Sequence, residues 1–159
     1  MSKKQVYILL NNIRSVYNVG AIFRTADAIG VSKIYLSGYT PTPLDRFNRE
    51  RKDFAKCALG AEKTISWEYI KNPDNLINTL KEDKFKIVAV EQSKNSIDYK
   101  KFKPKNKTLV IFGNEVEGVS EKTLKKSDIV AEIPMNGIKE SLNISVSAGI
   151  VLFRWFDLN

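Results

Sequence analysis

The sequence predicts an α/β fold, a parallel sheet covered by helices on both faces. Three observations lead there. Short apolar, β-branched runs alternate with segments whose apolar residues recur at helical spacing. The central runs, residues 6–10 (VYILL) and 108–112 (TLVIF), are continuously apolar, as in strands buried on both sides. The chain has 159 residues, 43% hydrophobic and 28% charged, enough for one domain with a core. It shows no internal repeat, linker or low-complexity stretch, so residues 1–159 read as a single domain.

Taken in order, residues 6–10 form the first strand. Asn18 is the expected cap of a helix carrying Val19, Ile22, Phe23, Ala26 and Ile29 on one face, and Gly30 closes it. Residues 33–36 (KIYL) are the second strand. A long loop, residues 37–53, holds Pro41, Pro43 and four basic side chains, with helix expected to grow out of its later half into residues 55–59. Residues 64–67 are expected as a short strand, and residues 74–81 as an amphipathic helix after Pro73. Residues 86–91 (KIVAVE), 108–112 and 128–133 supply further strands. Between the first two of these, residues 93–107 read as a polar, Lys-rich connection. Residues 143–156 form the last helix. That helix carries two apolar stripes, Leu142, Val146, Gly149, Ile150 and Phe153 on one side and Ile144, Ala148, Val151, Leu152 and Trp155 on another. A helix apolar nearly all round must be covered twice, once by the sheet and once by a second subunit, so a homodimer is expected.

Composition narrows the chemistry. Cys57 is the single cysteine and there is no histidine, which removes a disulfide framework, a thiolate zinc cluster, His-based metal sites and any His general base; no metal is expected. Catalysis would have to rest on Arg, Lys, Glu, Asp, Tyr, backbone amides or a cofactor. No apolar run reaches the roughly 20 residues that span a bilayer, and the first residues lack the form of a signal peptide, so no membrane partner and a cytoplasmic location are expected. A net charge of +8 fits a polyanionic partner, most simply nucleic acid, or else a Lys-rich solvated surface.

The most informative segments are residues 111–120 (IFGNEVEGVS) and 133–155 (IPMNGIKESLNISVSAGIVLFRW). Each is an apolar run, then a turn of small, polar or charged residues, then a helical pattern. They read as two halves of one pocket for a nucleotide-like ligand, placed where α/β sheets bind ligands, outside the carboxyl ends of the strands.

Three segments together, residues 18–30 (NVGAIFRTADAIG), 111–120 and 133–143, resemble in order and spacing the three motifs of the SpoU/TrmH-type RNA ribose 2′-O-methyltransferases of the SPOUT class. Residues 56–62 (KCALGAE) also look like the family's region after the second strand. The resemblance implies a SPOUT domain with a C-terminal trefoil knot and without a separate RNA-binding extension. It also implies S-adenosyl-L-methionine as cofactor, a homodimer, and transfer RNA or ribosomal RNA as partner.

Residue by residue, Arg24 matches the family's essential arginine. A guanidinium stays protonated, so its expected role is to bind an RNA phosphate and stabilise the developing alkoxide rather than to act as a base. Asn18 either caps its helix or orients Arg24 or the ribose. Glu115 holds the third-motif turn or contacts substrate, unless it is only a first-turn helix glutamate. Gly113 and Gly118 let backbone approach a ligand or turn sharply, and Asn114 is expected beside them at the cofactor. Ile133, Met135 and Leu142 would line the adenine pocket, and Ser141 and Asn143 would contact cofactor or substrate unless they serve as a helix cap. Val90 and Glu91 stand at a strand end beside the pocket, Glu91 as a ribose contact or a plain strand-end charge. Arg14, Arg46, Arg49, Arg51, Lys52 and Lys56 form the expected RNA track, contacting phosphates without reading sequence.

Two alternatives stand beside this reading. One is a non-catalytic RNA-binding protein on the same fold, which cofactor binding would separate from an enzyme. The other is an ordinary nucleotide-dependent α/β enzyme, for which the first strand lacks the G-x-G-x-x-G turn.

Overall fold

The computed structural model of the chain describes residues 4–156. The elements run β1 (Gln5–Asn11), α1 (Val16–Ile29), β2 (Lys33–Ser37), α2 (Lys52–Ala58), α3 (Ala61–Thr64), β3 (Trp67–Ile70), α4 (Pro73–Glu82), β4 (Lys86–Val90), β5 (Ile97–Asp98), a 3-10 turn (Tyr99–Lys101), β6 (Lys107–Phe112), α5 (Glu121–Lys126), β7 (Ile129–Glu132) and α6 (Ile144–Phe156). Among the described residues the sheet has seven strands in the order β3-β2-β1-β6-β4-β7-β5. Every pairing is parallel.

Alternation along the inner strands builds two cores. Val6, Ile8 and Leu10 of β1, Val110 and Phe112 of β6 and Val88 of β4 face α1, α2, α3 and α6. Leu9, Leu109, Ile111, Ile87 and Ala89 point the other way, onto Leu76, Ile77 and Leu80 of α4 and Leu124 of α5. Both faces of β1, β4 and β6 are therefore dry, which is why those strands read as unbroken apolar runs. In the larger core Phe23 of α1 meets Phe54 of α2 edge to face, centroids 5.1 Å apart.

Several expectations shift in the structure. The cap of α1 is Ser15, whose Oγ accepts from the Asn18 backbone N–H at 3.2 Å; Asn18 sits inside the first turn with its amide free for other work. Gly30 ends α1 as expected, in the left-handed region at φ 78°. The third strand lies at Trp67–Ile70 rather than at residues 64–67. Thr64 instead closes α3, its hydroxyl donating to Asp27 and to the Ala61 carbonyl. Strand β3 is set by pairing with Ile34–Ser37 of β2, a constraint that no local pattern reports. The connection at residues 93–107 is more than a solvated loop. Ile97 and Asp98 pair with β7, and Phe102 is buried against Trp155, whose indole N–H donates to the Tyr99 carbonyl at 2.8 Å. The turn after β6 leads into a short helix, Glu121–Lys126, as its sequence predicts.

The two stripes of α6 separate as expected. Ala148, Val151, Leu152 and Trp155 are buried, whereas Val146 and Phe153 remain about half exposed (49% and 47%) on the opposite side. Among the described residues no helix is long and apolar enough to cross a membrane.

Since Ser15 rather than Asn18 caps α1, Ser15→Ala should cost about 1 kcal/mol of folding stability. The measurement is the shift of the urea unfolding midpoint at constant slope.

Candidate active site

At the carboxyl ends of β4, β6 and β7 the chain encloses a cleft of about 360 Å³, within the roughly 300–1,000 Å³ usual for small-molecule sites. Three segments wall it: Val90–Gln92 after β4, residues 112–118 after β6, and residues 132–147 between β7 and α6. All nine residues expected to hold a cofactor, Val90, Glu91, Gly113, Asn114, Gly118, Ile133, Met135, Ser141 and Leu142, line it.

The wall after β6 is a tight turn. Asn114 and Gly118 exchange backbone hydrogen bonds at 3.1 and 2.9 Å, and the Asn114 side-chain oxygen accepts from the N–H groups of Val116 and Glu117, both at 2.8 Å. The Asn114 amide in turn donates to the Asn12 carbonyl and to the Tyr39 hydroxyl. Gly118 adopts φ 72°, and a Cβ there would run into the Glu91 carboxylate; a Cβ on Gly113 would strike the Gly118 carbonyl. The Glu91 carboxylate accepts from Val119 N and Gln92 N, both at 2.8 Å, so it fastens the turn to the end of β4. The Gln92 amide reaches the Glu140 carbonyl and ties the third wall to the same strand end.

Glu115 leaves the turn in the other direction. It is neither in a helix nor bonded to the third-motif turn directly, as one expectation had it. Its carboxylate accepts from the backbone N–H groups of Arg14 (3.0 and 3.2 Å) and Ser15 (3.1 Å) and from the Asn18 amide (3.2 Å). The Asn18 side-chain oxygen then accepts from the Asn143 amide at 3.2 Å. Asn143 completes the relay by accepting from Ser145 N–H and hydroxyl at the start of α6. Asn143 is thus both a helix cap and a cleft residue, and Asn18 orients it. Burial pushes the Glu115 carboxyl up, but the N–H groups of Arg14, Glu115 itself and Ser15, with the Asn18 amide, outweigh it and hold its pKa below the ordinary value.

The cleft lining has one sign of charge. Its charged residues are Glu91, Glu115, Glu117, Glu132 and Glu140, of which Glu115 turns its carboxylate to the start of α1, and no Lys or Arg lines it. The apolar surface comes from Val90, Ile133, Met135 and Leu142. Glu117, Glu132 and Glu140 were missed by sequence reasoning because each, taken alone, is an ordinary surface glutamate; only the closing of the cleft brings them together.

The remaining expected residues lie elsewhere. Arg24 does not line the cleft. It stands on the exposed side of α1, about 9 Å of helix rise from Asn18, with no hydrogen bond or ion pair among the described residues; Asp27, the partner a surface pair would use, takes the Thr64 hydroxyl instead. In the expected RNA track, Arg49 is paired with Asp45 at 2.9 Å and Arg51 with Asp53 at 2.7 Å. Arg46, Lys52, Lys56 and Arg14 form no ion pair among the described residues, which leaves them as the uncommitted charges of that set. Nor do the described residues contain a group of three or more His, Cys, Asp or Glu side chains suited to a metal ion.

An α/β protein with a polar, acidic, partly apolar cleft at the strand ends has the architecture of a small-molecule-binding protein. Residues 5–153 match the model of the SpoU rRNA Methylase family, and the chain belongs to that family. A tRNA (guanosine(18)-2′-O)-methyltransferase of Aquifex aeolicus is 33% identical over 156 residues, covering 96% of this chain and 69% of the relative. The 23S rRNA (guanosine-2′-O-)-methyltransferase RlmB of Neisseria meningitidis is also 33% identical, covering 96% and 58%. Among solved structures, the AdoMet-bound rRNA methyltransferase of Sinorhizobium meliloti superposes with a TM-score of 0.85 at 27% identity, covering 96% of this chain and 56% of that one. The chain therefore spans little more than half the length of the last two.

Because Glu115 has a lowered folded pKa, its stabilising contribution is present above its ordinary value of 4.5 and is lost as pH falls through the folded value. Glu115→Gln should therefore be less stable than wild type at neutral pH, by up to about 1 kcal/mol, since solvent screens a carboxylate that is only partly buried. The gap should close in urea titrations carried out progressively below pH 4.5.

Proposed function

We propose that the chain catalyses S-adenosyl-L-methionine-dependent methylation of a ribose 2′-hydroxyl in transfer RNA or ribosomal RNA. The observation that carries the reading is the cleft itself, five glutamates and apolar side chains with no basic residue. Such a lining favours a ligand with a positive centre and disfavours one bearing phosphates. That suits a sulfonium donor and argues against a nucleoside triphosphate. The relatives' printed activities point the same way.

The bound donor supplies an electrophilic methyl group; this chain's residues do the rest. Ile133, Met135 and Leu142 offer apolar faces to an adenine ring, and the Asn114–Gly118 turn, held close by its two glycines, brings backbone against the ligand. Glu91 already accepts two backbone N–H groups, so its first role is to hold that turn, with its remaining lone pairs open to a ribose hydroxyl. Ser141 and Asn143 stand at the mouth, where a ribose would approach, Asn143 aimed by Asn18. Arg24 neutralises charge on the acceptor, binding an RNA phosphate and the oxygen that loses its proton. The proton leaves to that phosphate or to water, since no histidine is present to take it.

Arg24 stands away from its own cleft, and the half-exposed Val146 and Phe153 face of α6 awaits a cover. A homodimer meets both needs, with Arg24 of one copy serving the cleft of the other. A trefoil knot of the C-terminal segment belongs to the same proposal. Its support is the strand order, in which the chain leaves the β5 edge for the interior strand β6 and then returns as β7 between β4 and β5.

Nucleoside mass spectrometry of total RNA from wild-type and deletion cells tests the reaction. One 2′-O-methylated nucleoside should disappear on deletion, return with the wild-type gene and fail to return with Arg24→Ala; loss of a base-methylated nucleoside instead would overturn the ribose assignment. The purified Arg24→Ala protein should lose about 10²–10³ in kcat with donor affinity unchanged.

The dimer is tested by co-expressing two inactive chains, Arg24→Ala and Asn143→Ala. A mixed dimer has one intact cleft facing one intact arginine and should recover activity. No recovery would place Arg24 and the cleft of the same chain together.

A further inference from the structure

Beyond the cleft, the loop between β2 and α2 presents an aromatic side chain to solvent in an unusual setting. Phe47 is 61% exposed, and the Arg46 and Arg49 guanidinium carbons lie 4.8 and 5.0 Å from its ring centroid. The loop is a built structure rather than a loose tether. Leu44 and Glu50 pair across it in antiparallel fashion, and Arg51 N–H donates to the Pro43 carbonyl. Asp45 organises the tip, its carboxylate accepting from the N–H groups of Phe47 (2.8 Å) and Arg49 (3.0 Å) and from Arg49 Nε (2.9 Å). Asn48 takes the left-handed conformation, φ 58°, that the tight reversal needs. Order of this kind spent on holding a phenyl ring out in water calls for a ligand.

Resting on the RNA reading above, we infer that Phe47 is a stacking platform for an unpaired RNA base, with Arg46 swinging from the ring to the adjacent phosphate as the base arrives. The two arginines differ in a way that supports this. Arg49 is paired with Asp45, so it keeps its place over the ring as the base arrives. Arg46 has no carboxylate partner among the described residues, so only a cation–π contact must break for its face of the ring to open. Aromatic rings stack on any base, and guanidinium binds phosphate in a bidentate fork, so one tip offers both elements of single-strand binding. Lys52 and Lys56, unpaired on the helix that follows, continue the positive track. A second copy of this chain has the half-exposed apolar face of α6 for self-association, which leaves this basic tip to a partner of opposite charge.

The test uses the whole protein and a short single-stranded oligoribonucleotide carrying 2-aminopurine, whose fluorescence falls on stacking. Wild type and Phe47→Trp should both quench the probe and bind it alike. Phe47→Ala and Phe47→Leu should lose the quench and bind roughly 5- to 100-fold more weakly, with the salt slope unchanged. Arg46→Ala should instead flatten that slope by about one phosphate contact. Donor binding, and self-association by sedimentation, should be the same for every variant. If wild type binds the RNA and Phe47→Leu binds equally well, the stacking inference alone falls. If Phe47→Ala changes self-association instead, the loop is a protein contact and the inference is likewise overturned. If wild type binds neither this probe nor transfer-RNA transcripts, the RNA reading falls with it.

Discussion

The Glu115 carboxylate is the ionised group on which both halves of the cleft depend. It lies at the positive end of α1, where backbone N–H groups have no helical partner, and satisfies two of them. Partial burial costs it hydration, and four hydrogen bonds from three residues offset that cost. One of those donors is Asn18, and the same amide group's oxygen holds Asn143. The position of the α6 start relative to the turn after β6 is therefore transmitted through a carboxylate and two amides rather than through apolar packing. Such links are directional, so they fix orientation as well as distance.

Charge is divided sharply over the molecule. The chain is basic overall, yet its cleft is lined by glutamates alone among its charged residues. Lysines and arginines lie outside, on the β2–α2 loop, along α2 and on the exposed side of α1. A cationic ligand is thereby favoured in the cleft and a polyanionic one on the basic surface around it. With no histidine present, the sign of that field is constant across the physiological pH range.

The inner strands were legible because burial on both faces leaves no polar residue in them, and that composition is visible without any partner. The cap of α1 was not, because Ser15 and Asn18 are equally good caps in isolation and only the backbone decides between them. Strands β3 and β5 are defined by what they pair with, Ile34–Ser37 and Ala131–Glu132, so their own residues carry little signal. The cleft residues that sit in motifs, from Gly113 to Asn143, could be named in advance. The role of Glu115 could not, since its partners at Arg14 and Ser15 are about a hundred positions away. Arg24 could be named but not located, because an exposed side chain without a partner among the described residues leaves no mark in the packing.

The link from Asn18 to Asn143 joins residues 125 positions apart, and the links from Glu115 to Arg14 and Asn18 span about a hundred. Contacts of such separation form only after the intervening chain has collapsed, and they bear the full entropy of closing that loop. During synthesis the first strand and helix emerge long before the residues that complete the site. A growing or truncated chain can thus hold much of the sheet and still have no cleft. An assembled cleft is in this way a report that the segment between β7 and α6 has arrived.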